Sequence, residues 1–294
     1  MTIWQSPPGN IDPSLVPFPL ALAAIAFLGA LIGSFLNVVI HRVPREESIV
    51  FPNSRCPECG AAIRFFDNVP VLSYLALRGR CRGCQTSISW RYPLVELLTA
   101  ALFALVFWHT GLMAALPFDL LFATALVALI FIDAEHMILP NVITYPGFAL
   151  ALVARALVPN LYGLGFVAQQ GPLAGWPDWA VSLFGALIGA LIGGGSLWLV
   201  GKIWEKLRGV EAMGLGDVKM MFMVGAYLGW PLTVLTIFLA VLCGSVAGVG
   251  VMLWRRERTL MLEIPFGIFL GLGALISLFA GTSIVNWYAG HFIP

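Results

Sequence analysis

Long apolar segments recur along the whole chain and constrain its fold more than any other feature. A membrane-spanning helix needs about 20 mainly apolar residues. Eight segments meet or approach that length, at 18–40, 94–113, 117–135, 141–158, 180–203, 215–229, 231–254 and 264–287. Charged residues make up only 11% of the 294 residues, against about 25% in soluble domains. The sequence therefore predicts an all-α polytopic membrane protein with about eight transmembrane helices, the sixth being the shortest.

The basic residues orient these helices, because short loops rich in Lys and Arg remain in the cytoplasm. With residues 42–93 placed inside, 14 of the 16 Lys and Arg residues fall on the cytoplasmic side. The exceptions are Arg155, near an outer helix end, and Lys219, within a span. This pattern predicts a multi-pass protein of the bacterial inner membrane with both termini in the periplasm. The net charge of +1 gives no indication of a nucleic-acid partner.

The chain divides into four predicted parts. The first 17 residues contain no Lys or Arg, so the basic start of a signal peptide is missing and the first apolar run is expected to be retained. The parts are a periplasmic segment over 1–17, a first transmembrane helix over 18–41, a cytoplasmic metal-binding module over 42–93, and a seven-helix membrane core over 94–294. Glycines spaced four residues apart predict close helix packing. They are Gly185, Gly189 and Gly193, Gly244 and Gly248, and Gly267 and Gly271.

Four cysteines in the polar segment are arranged as two CxxC pairs. Cys56 with Cys59 and Cys81 with Cys84 are separated by 21 residues, which is close to the spacing of a four-thiolate zinc site. Disulfides or redox-active thiols are the alternative, but disulfides are rare in the reducing cytoplasm. Four thiolates would leave no open coordination position, so the predicted zinc is structural. Cys243, alone in an apolar segment, is interpreted as a packing residue.

Two acidic residues lie at the ends of predicted spans. Asp133 ends the third span and Asp217 begins the sixth, and the predicted topology puts both at the cytoplasmic side. Acids in a membrane cost roughly 2.5–3.5 kcal/mol each, so they are functional candidates. Two carboxylates that share one proton would suit an aspartyl peptidase. Gly214 and Gly216 are expected to form an active-site loop, a non-helical entry that brings the backbone close to an extended peptide. The alternative is that each is an ordinary interfacial residue or, for Asp217, a helix N-cap.

Several ordered motifs resemble one family. Residues 214–219 (GLGDVK) resemble the GxGD signature of membrane aspartyl peptidases, specifically the bacterial type IV prepilin leader peptidases and N-methyltransferases. Further resemblance covers roughly residues 20–285. It is carried by 33–44 (GSFLNVVIHRVP), 66–70 (FDNVP), 78–84 (RGRCRGC), 88–96 (ISWRYPLVE), 132–140 (IDAEHMILP) and 264–267 (IPFG). Two residues depart from the family pattern, Asn141 where Asp is frequent and Ile268 where Pro is frequent, and neither is expected to touch the acid pair.

The resemblance implies a bifunctional enzyme. It would cleave the basic leader of type IV prepilins and type II secretion pseudopilins after a glycine, using Asp133 and Asp217. It would then methylate the new amino terminus, usually Phe, with S-adenosylmethionine. The four cysteines resemble those of the bifunctional members and are absent from peptidase-only members. Prepilins, pseudopilins and membrane lipids are the partners that this resemblance implies.

Other functions remain open from the residues alone. An ion- or proton-coupled transporter could use Asp133, Asp217 and Lys219 as a relay, and a non-catalytic scaffold could display the metal module. Lys219 follows Asp217 by two residues, or about 200° of helix, so it should point away from the acids. We expect it to support the site by meeting lipid headgroups or by pairing with Glu263 or Glu96.

Overall fold

The computed structural model describes residues 17–56, 58–159, 161, 173, 175–209, 213–255 and 265–292. In these residues every regular element is helical, apart from two isolated β-bridges, and the predicted all-α class is confirmed. The α-helices of this part of the chain are α1 (Phe18–Arg42), α2 (Leu72–Ala76), α3 (Arg91–Thr110), α4 (Leu116–His136), α5 (Asn141–Leu157), α6 (Asp178–Ala190), α7 (Ser196–Arg208), α8 (Leu215–Leu228), α9 (Trp230–Arg255) and α10 (Phe266–Phe292). A π-helical turn over Leu191–Gly195 joins α6 to α7.

Six helical segments of the described chain are long and apolar enough to cross a membrane. They are Phe18–Arg45, Arg91–Thr110, Leu116–His136, Asp178–Arg208, Trp230–Trp254 and Phe266–Phe292. The other two predicted spans are the 17-residue α5 and the 14-residue α8. A helix of 14 residues is about 21 Å long, whereas the hydrocarbon core is about 30 Å thick. The predicted count of eight spans is therefore corrected to six of full length, with two short helices at the remaining positions.

The chain forms two compact units, residues 1–124 and 125–294, whose boundary falls within α4. In the first unit, α1 packs along α3. A Cβ atom on Gly29 would lie 2.8 Å from the Thr99 carbonyl oxygen, and one on Gly33 would lie 2.7 Å from Glu96 Cα. These two glycines, four residues apart, let the helices approach closely. Their spacing was available in the sequence but was not among the predicted packing sites.

In the second unit, α8 is enclosed by neighbouring helices. It packs against α5, α6, α9 and α10, and residues 220–221 and 223–228 are buried. A Cβ atom on Gly189 of α6 would overlap the backbone of Gly225 in α8, so close packing at this predicted glycine is confirmed. Gly244 differs, because its Cβ would make only ordinary contact with Phe269. Since protein surrounds α8, a short helix can still present Asp217, in its first turn, at a fixed position.

Candidate active site and metal centre

The two acids occupy the helix ends that the sequence indicates. Asp133 lies in the last turn of α4 with 5% of its surface exposed, and Asp217 lies in the first turn of α8 and is partly buried. The two carboxyl groups interact electrostatically although 84 residues separate them in sequence. Gly214, in extended conformation, is the N-cap residue of α8, so Asp217 is the third residue of the helix and not its N-cap.

The amino terminus of α10 holds the Asp133 carboxylate. The backbone N–H of Ile268 donates to Asp133 Oδ2 at 3.1 Å, and the backbone of Gly267 also hydrogen-bonds this side chain. Free amides and the helix dipole at this end of α10 favour a negative charge. The expectation that Ile268 is remote from the acid pair is therefore wrong. The contact is made by the backbone of Ile268, so the type of its side chain gave no indication of it.

Leu139, a residue that sequence reasoning did not single out, connects the surroundings of both acids. A Cβ atom on Gly216 would lie 3.0 Å from Leu139 Cβ, and one on Gly267 would lie 3.1 Å from Leu139 Cδ1 and 2.7 Å from Asp133 Oδ2. Leu139 itself is 9% exposed. Gly216 is already helical, so what requires a glycine there is contact with Leu139, not a special backbone conformation.

Gly267→Ala should impair the acid pair strongly. The new methyl group would overlap the Asp133 carboxylate and displace it, and a displacement of about 1 Å can cost roughly 10²-fold in rate. Gly290→Ala, in the same helix but with nothing within 4 Å of its Cβ position, is the matched control. Initial rates of leader cleavage at equal amounts of folded protein test this, and equal activity of both variants would contradict the described geometry.

Lys219 contacts α5. Its Nζ donates to Asn141 Oδ1 at 2.8 Å and lies 5.5 Å from the centre of the Tyr145 ring. One of the anticipated partners, Glu263, lies outside the described residues. In the sequence, Asn141 stands out only as a departure from the family pattern. It instead anchors Lys219 and thereby joins the first turn of α5 to the first turns of α8.

Each CxxC pair forms a tight turn, and the two turns have the same geometry. Bridges Arg55–Ala62 and Arg80–Ser87 close them. The Cys56 and Cys81 amides donate to Ala61 and Thr86, each at 2.9 Å. Gly60 and Gln85, one residue after each second cysteine, both have positive φ, 69° and 62°. This repeated turn is the local arrangement that lets two thiolates of one CxxC reach the same ion.

The four thiols of the two turns lie together. All four Sγ atoms of Cys56, Cys59, Cys81 and Cys84 fall within 4.8 Å of one another, and the Cys56 and Cys84 sulfurs are 3.8 Å apart. A tetrahedral zinc with Zn–S bonds of about 2.3 Å requires sulfurs about 3.8 Å apart. The donor set and its spacing therefore fit a metal ion. Cys243 lies apart from this group on α9.

The thiols of the cluster differ in how readily they lose a proton. Hydrogen bonds with the Thr86 side chain and backbone lower the pKa of Cys84 to about 6. For Cys59, the backbone hydrogen bond of Ala61 lowers the pKa, but the sulfurs of Cys84 and Cys56 outweigh it and raise the pKa to about 11. Protons are thus shared unevenly among four close sulfurs, and metal binding would release them.

Comparison with known proteins covers nearly the whole chain. Residues 27–110 match the family described as bacterial peptidase A24 N-terminal domain, and residues 120–249 match the type IV leader peptidase family. Proteins named prepilin leader peptidase/N-methyltransferase are 38% identical in Pseudomonas aeruginosa, over 93% of this chain and 96% of that protein. The corresponding values are 39%, 94% and 96% for Aeromonas hydrophila, and 38%, 94% and 97% for Neisseria gonorrhoeae. No solved structure matches the chain.

Proposed function

This chain belongs to the type IV leader peptidase family, and from that premise we propose that Asp133 and Asp217 cleave the leaders of type IV prepilins and type II secretion pseudopilins. The enzyme is bifunctional: it hydrolyses the leader after a glycine and then methylates the new terminal amine. The observation that carries the catalytic assignment is the electrostatic pairing of two acids at helix ends, one buried and one partly buried. The transporter alternative has no support from the family or from the acids' positions.

The two acids have different surroundings and therefore different roles. Asp133 accepts a backbone N–H from the start of α10, which stabilises its ionised form. No described residue donates a hydrogen bond to the Asp217 carboxyl, and its burial, together with the neighbouring charge of Asp133, favours the protonated form there. Asp133 then takes a proton from the attacking water, while protonated Asp217 donates a hydrogen bond to the scissile carbonyl oxygen.

Membrane topology determines where cleavage occurs. We place the inner-membrane protein with both termini in the periplasm and residues 42–93 in the cytoplasm, since this leaves 14 of 16 basic residues inside. Both acids are then at the cytoplasmic face. A prepilin presents its basic leader at that face and its apolar helix in the bilayer, so the scissile bond meets the acids there. Membrane lipids complete the surroundings of the substrate helix.

We assign S-adenosylmethionine as the methyl donor. The cysteine cluster is assigned as the site of one structural zinc ion. Cys56, Cys59, Cys81 and Cys84 would hold the ion, which supplies a fixed crosslink between the two turns and no open position for chemistry. Within the described residues there is no sheet that could form a Rossmann-like donor site. The methyl-transfer assignment rests on family membership and on the module, not on an identified donor site.

Co-expression with a prepilin that carries a Gly-Phe junction tests the function. The expected product lacks the leader, begins with Phe and is heavier than the cleaved polypeptide by one methyl group. Mass spectrometry and amino-terminal sequencing measure the two steps separately. Unprocessed prepilin in membranes that contain the folded enzyme would refute the peptidase assignment, and cleaved but unmethylated product would refute only the second activity.

Lys219→Met should weaken the enzyme without abolishing turnover. The substitution removes the hydrogen bond to Asn141, which is one of the contacts between the first turns of α5 and α8. We expect lower expression or a higher KM, with measurable kcat at saturating prepilin. Asn141→Ala should reproduce the effect, whereas Lys202→Met, on α7, is the matched control. A fall in kcat as large as that of an Asp217 variant would instead mean that the ammonium group acts on the reacting atoms.

A further inference from the structure

Val71 has a backbone conformation that is unfavourable for its side chain. Its φ of 61° and ψ of −48°, with the Leu72 amide donating to the Pro70 carbonyl at 2.6 Å, define a γ-turn of the rare, strained kind. A β-branched residue at positive φ is an outlier. Such conformations persist only where surrounding contacts hold them, and they mark positions worth a functional hypothesis.

The contact that holds this turn is a buried carboxylate. Glu96 Oε2 accepts the Val71 N–H at 2.7 Å, and the Ser34 side chain also hydrogen-bonds Glu96. Glu96 is only 8% exposed, and Gly33 packs directly against its Cα. A buried acid is costly unless its hydrogen bonds are satisfied. The hydrogen bond between Val71 and Glu96 therefore satisfies the buried acid and at the same time stabilises the strained turn.

The position of Val71 makes the turn consequential. It lies between the two cysteine turns, and α2 begins at the next residue and leads into the second cysteine turn. The direction in which α2 leaves Val71 therefore sets where Cys81 and Cys84 lie relative to the helix pair α1 and α3. Asn37 Nδ2 donates to the Tyr92 carbonyl at 3.1 Å and ties that pair together beside Glu96.

We propose that Glu96 is a positioning residue for methyl transfer: by holding Val71 in its strained turn, it fixes the cysteine module on the α1–α3 helix pair in the orientation that this reaction requires. This rests on the proposed function, because only that assignment links the module to methyl transfer. Glu96 belongs to the unit of residues 1–124, whereas Asp133 and Asp217 belong to the unit of residues 125–294, so we expect leader cleavage not to depend on Glu96.

Four variants distinguish a positioning role of Glu96 from a direct chemical role of its carboxylate. Glu96→Leu removes the acceptor and should lower the methyl-transfer rate about tenfold, which corresponds to about 1.4 kcal/mol, while cleavage and zinc content stay within about twofold. Glu96→Gln keeps an acceptor for the Val71 N–H and should retain most activity. Val71→Gly relieves the strain, so adding it to Glu96→Leu should restore methylation. Glu205→Leu, an exposed acid of α7, is the control.

A second measurement keeps this test independent of the proposed function. Glu96→Leu should be cut faster by trypsin at Arg78, Arg80 and Arg82, and the double variant should return towards the original rate. If the unsubstituted chain methylates no prepilin, the proposed function fails while trypsin still reports on the Val71–Glu96 bond. Unchanged methylation and unchanged trypsin cleavage in Glu96→Leu would overturn the inference. Equal loss in Glu96→Gln and Glu96→Leu without rescue by Val71→Gly would overturn it as well, in favour of a chemical role for the carboxylate.

Discussion

Asp133→Asn and Asp217→Asn should each abolish leader cleavage while leaving the protein folded and inserted. An amide can neither take a proton from water nor hold the shared proton of a carboxyl pair, and loss of general acid or base catalysis typically costs 10²–10⁴-fold in rate. Because the two acids act as a unit, the double variant should be about as inactive as either single one. The measurement is the initial rate of cleavage of a purified prepilin in detergent or vesicles.

Asp178→Asn is the matched control for this prediction. Asp178 is an exposed acid in the first turn of α6, so the same change of charge is made in a helix end away from Asp133 and Asp217. Its cleavage rate should be unchanged, and circular dichroism and size-exclusion profiles should agree for all variants. Substantial processing by either Asp133→Asn or Asp217→Asn would exclude the aspartyl mechanism.

The location of the acids could be predicted from the sequence because it depends on local patterns. Apolar segments of about 20 residues have ends that can be read directly, and Asp133 and Asp217 stand at two such ends. The structure confirms a helix at each position. The lengths of α5 and α8 were less predictable, since a helix enclosed by protein need not match the thickness of the bilayer. Hydropathy does not distinguish an apolar neighbour helix from lipid.

The surroundings of the acids could not be predicted in the same way. Ile268 is 135 residues from Asp133 and contributes a backbone N–H, which leaves no signature in its side chain. Leu139 is one of many leucines, and its contact with Gly216 and Gly267 arises only when α4, α8 and α10 converge. That Lys219 points away from the acids stays a prediction from helical rotation, whereas its partner Asn141 depends on which helix packs against α8.

The cysteine module shows the same division between local and long-range information. The CxxC spacing predicted two metal-binding turns, and the repeated geometry around Gly60 and Gln85 is a consequence of those short segments. The strained turn at Val71 had no sequence signal, because a β-branched valine favours extended structure. Only the fold brings Glu96 to its amide. Features that oppose local preference in this way depend on long-range contacts and leave no local pattern in the sequence.

Replacement of one cysteine should release the metal and largely abolish methyl transfer. Purified native protein is expected to contain about one zinc ion per chain, and Cys56→Ser or Cys84→Ser should lower that content to near zero, because structural zinc contributes about 10–16 kcal/mol in small metal-dependent domains. Leader cleavage should fall less, since the acids belong to α4 and α8 and not to the module.

Cys243→Ser provides the matched control, because this cysteine lies on α9 apart from the four clustered thiols. It should retain both zinc and methylation, which shows that the effect follows from the cluster and not from loss of any thiol. Elemental analysis of protein prepared without chelators gives the metal content, and the methylated fraction of cleaved pilin gives the activity. Native protein without zinc would refute the metal assignment, and full methylation by zinc-free Cys84→Ser would separate the module from the second reaction. The geometry of the cluster argues against both of these outcomes. Four thiolates within 4.8 Å of one another repel, so they need a bound cation to remain together.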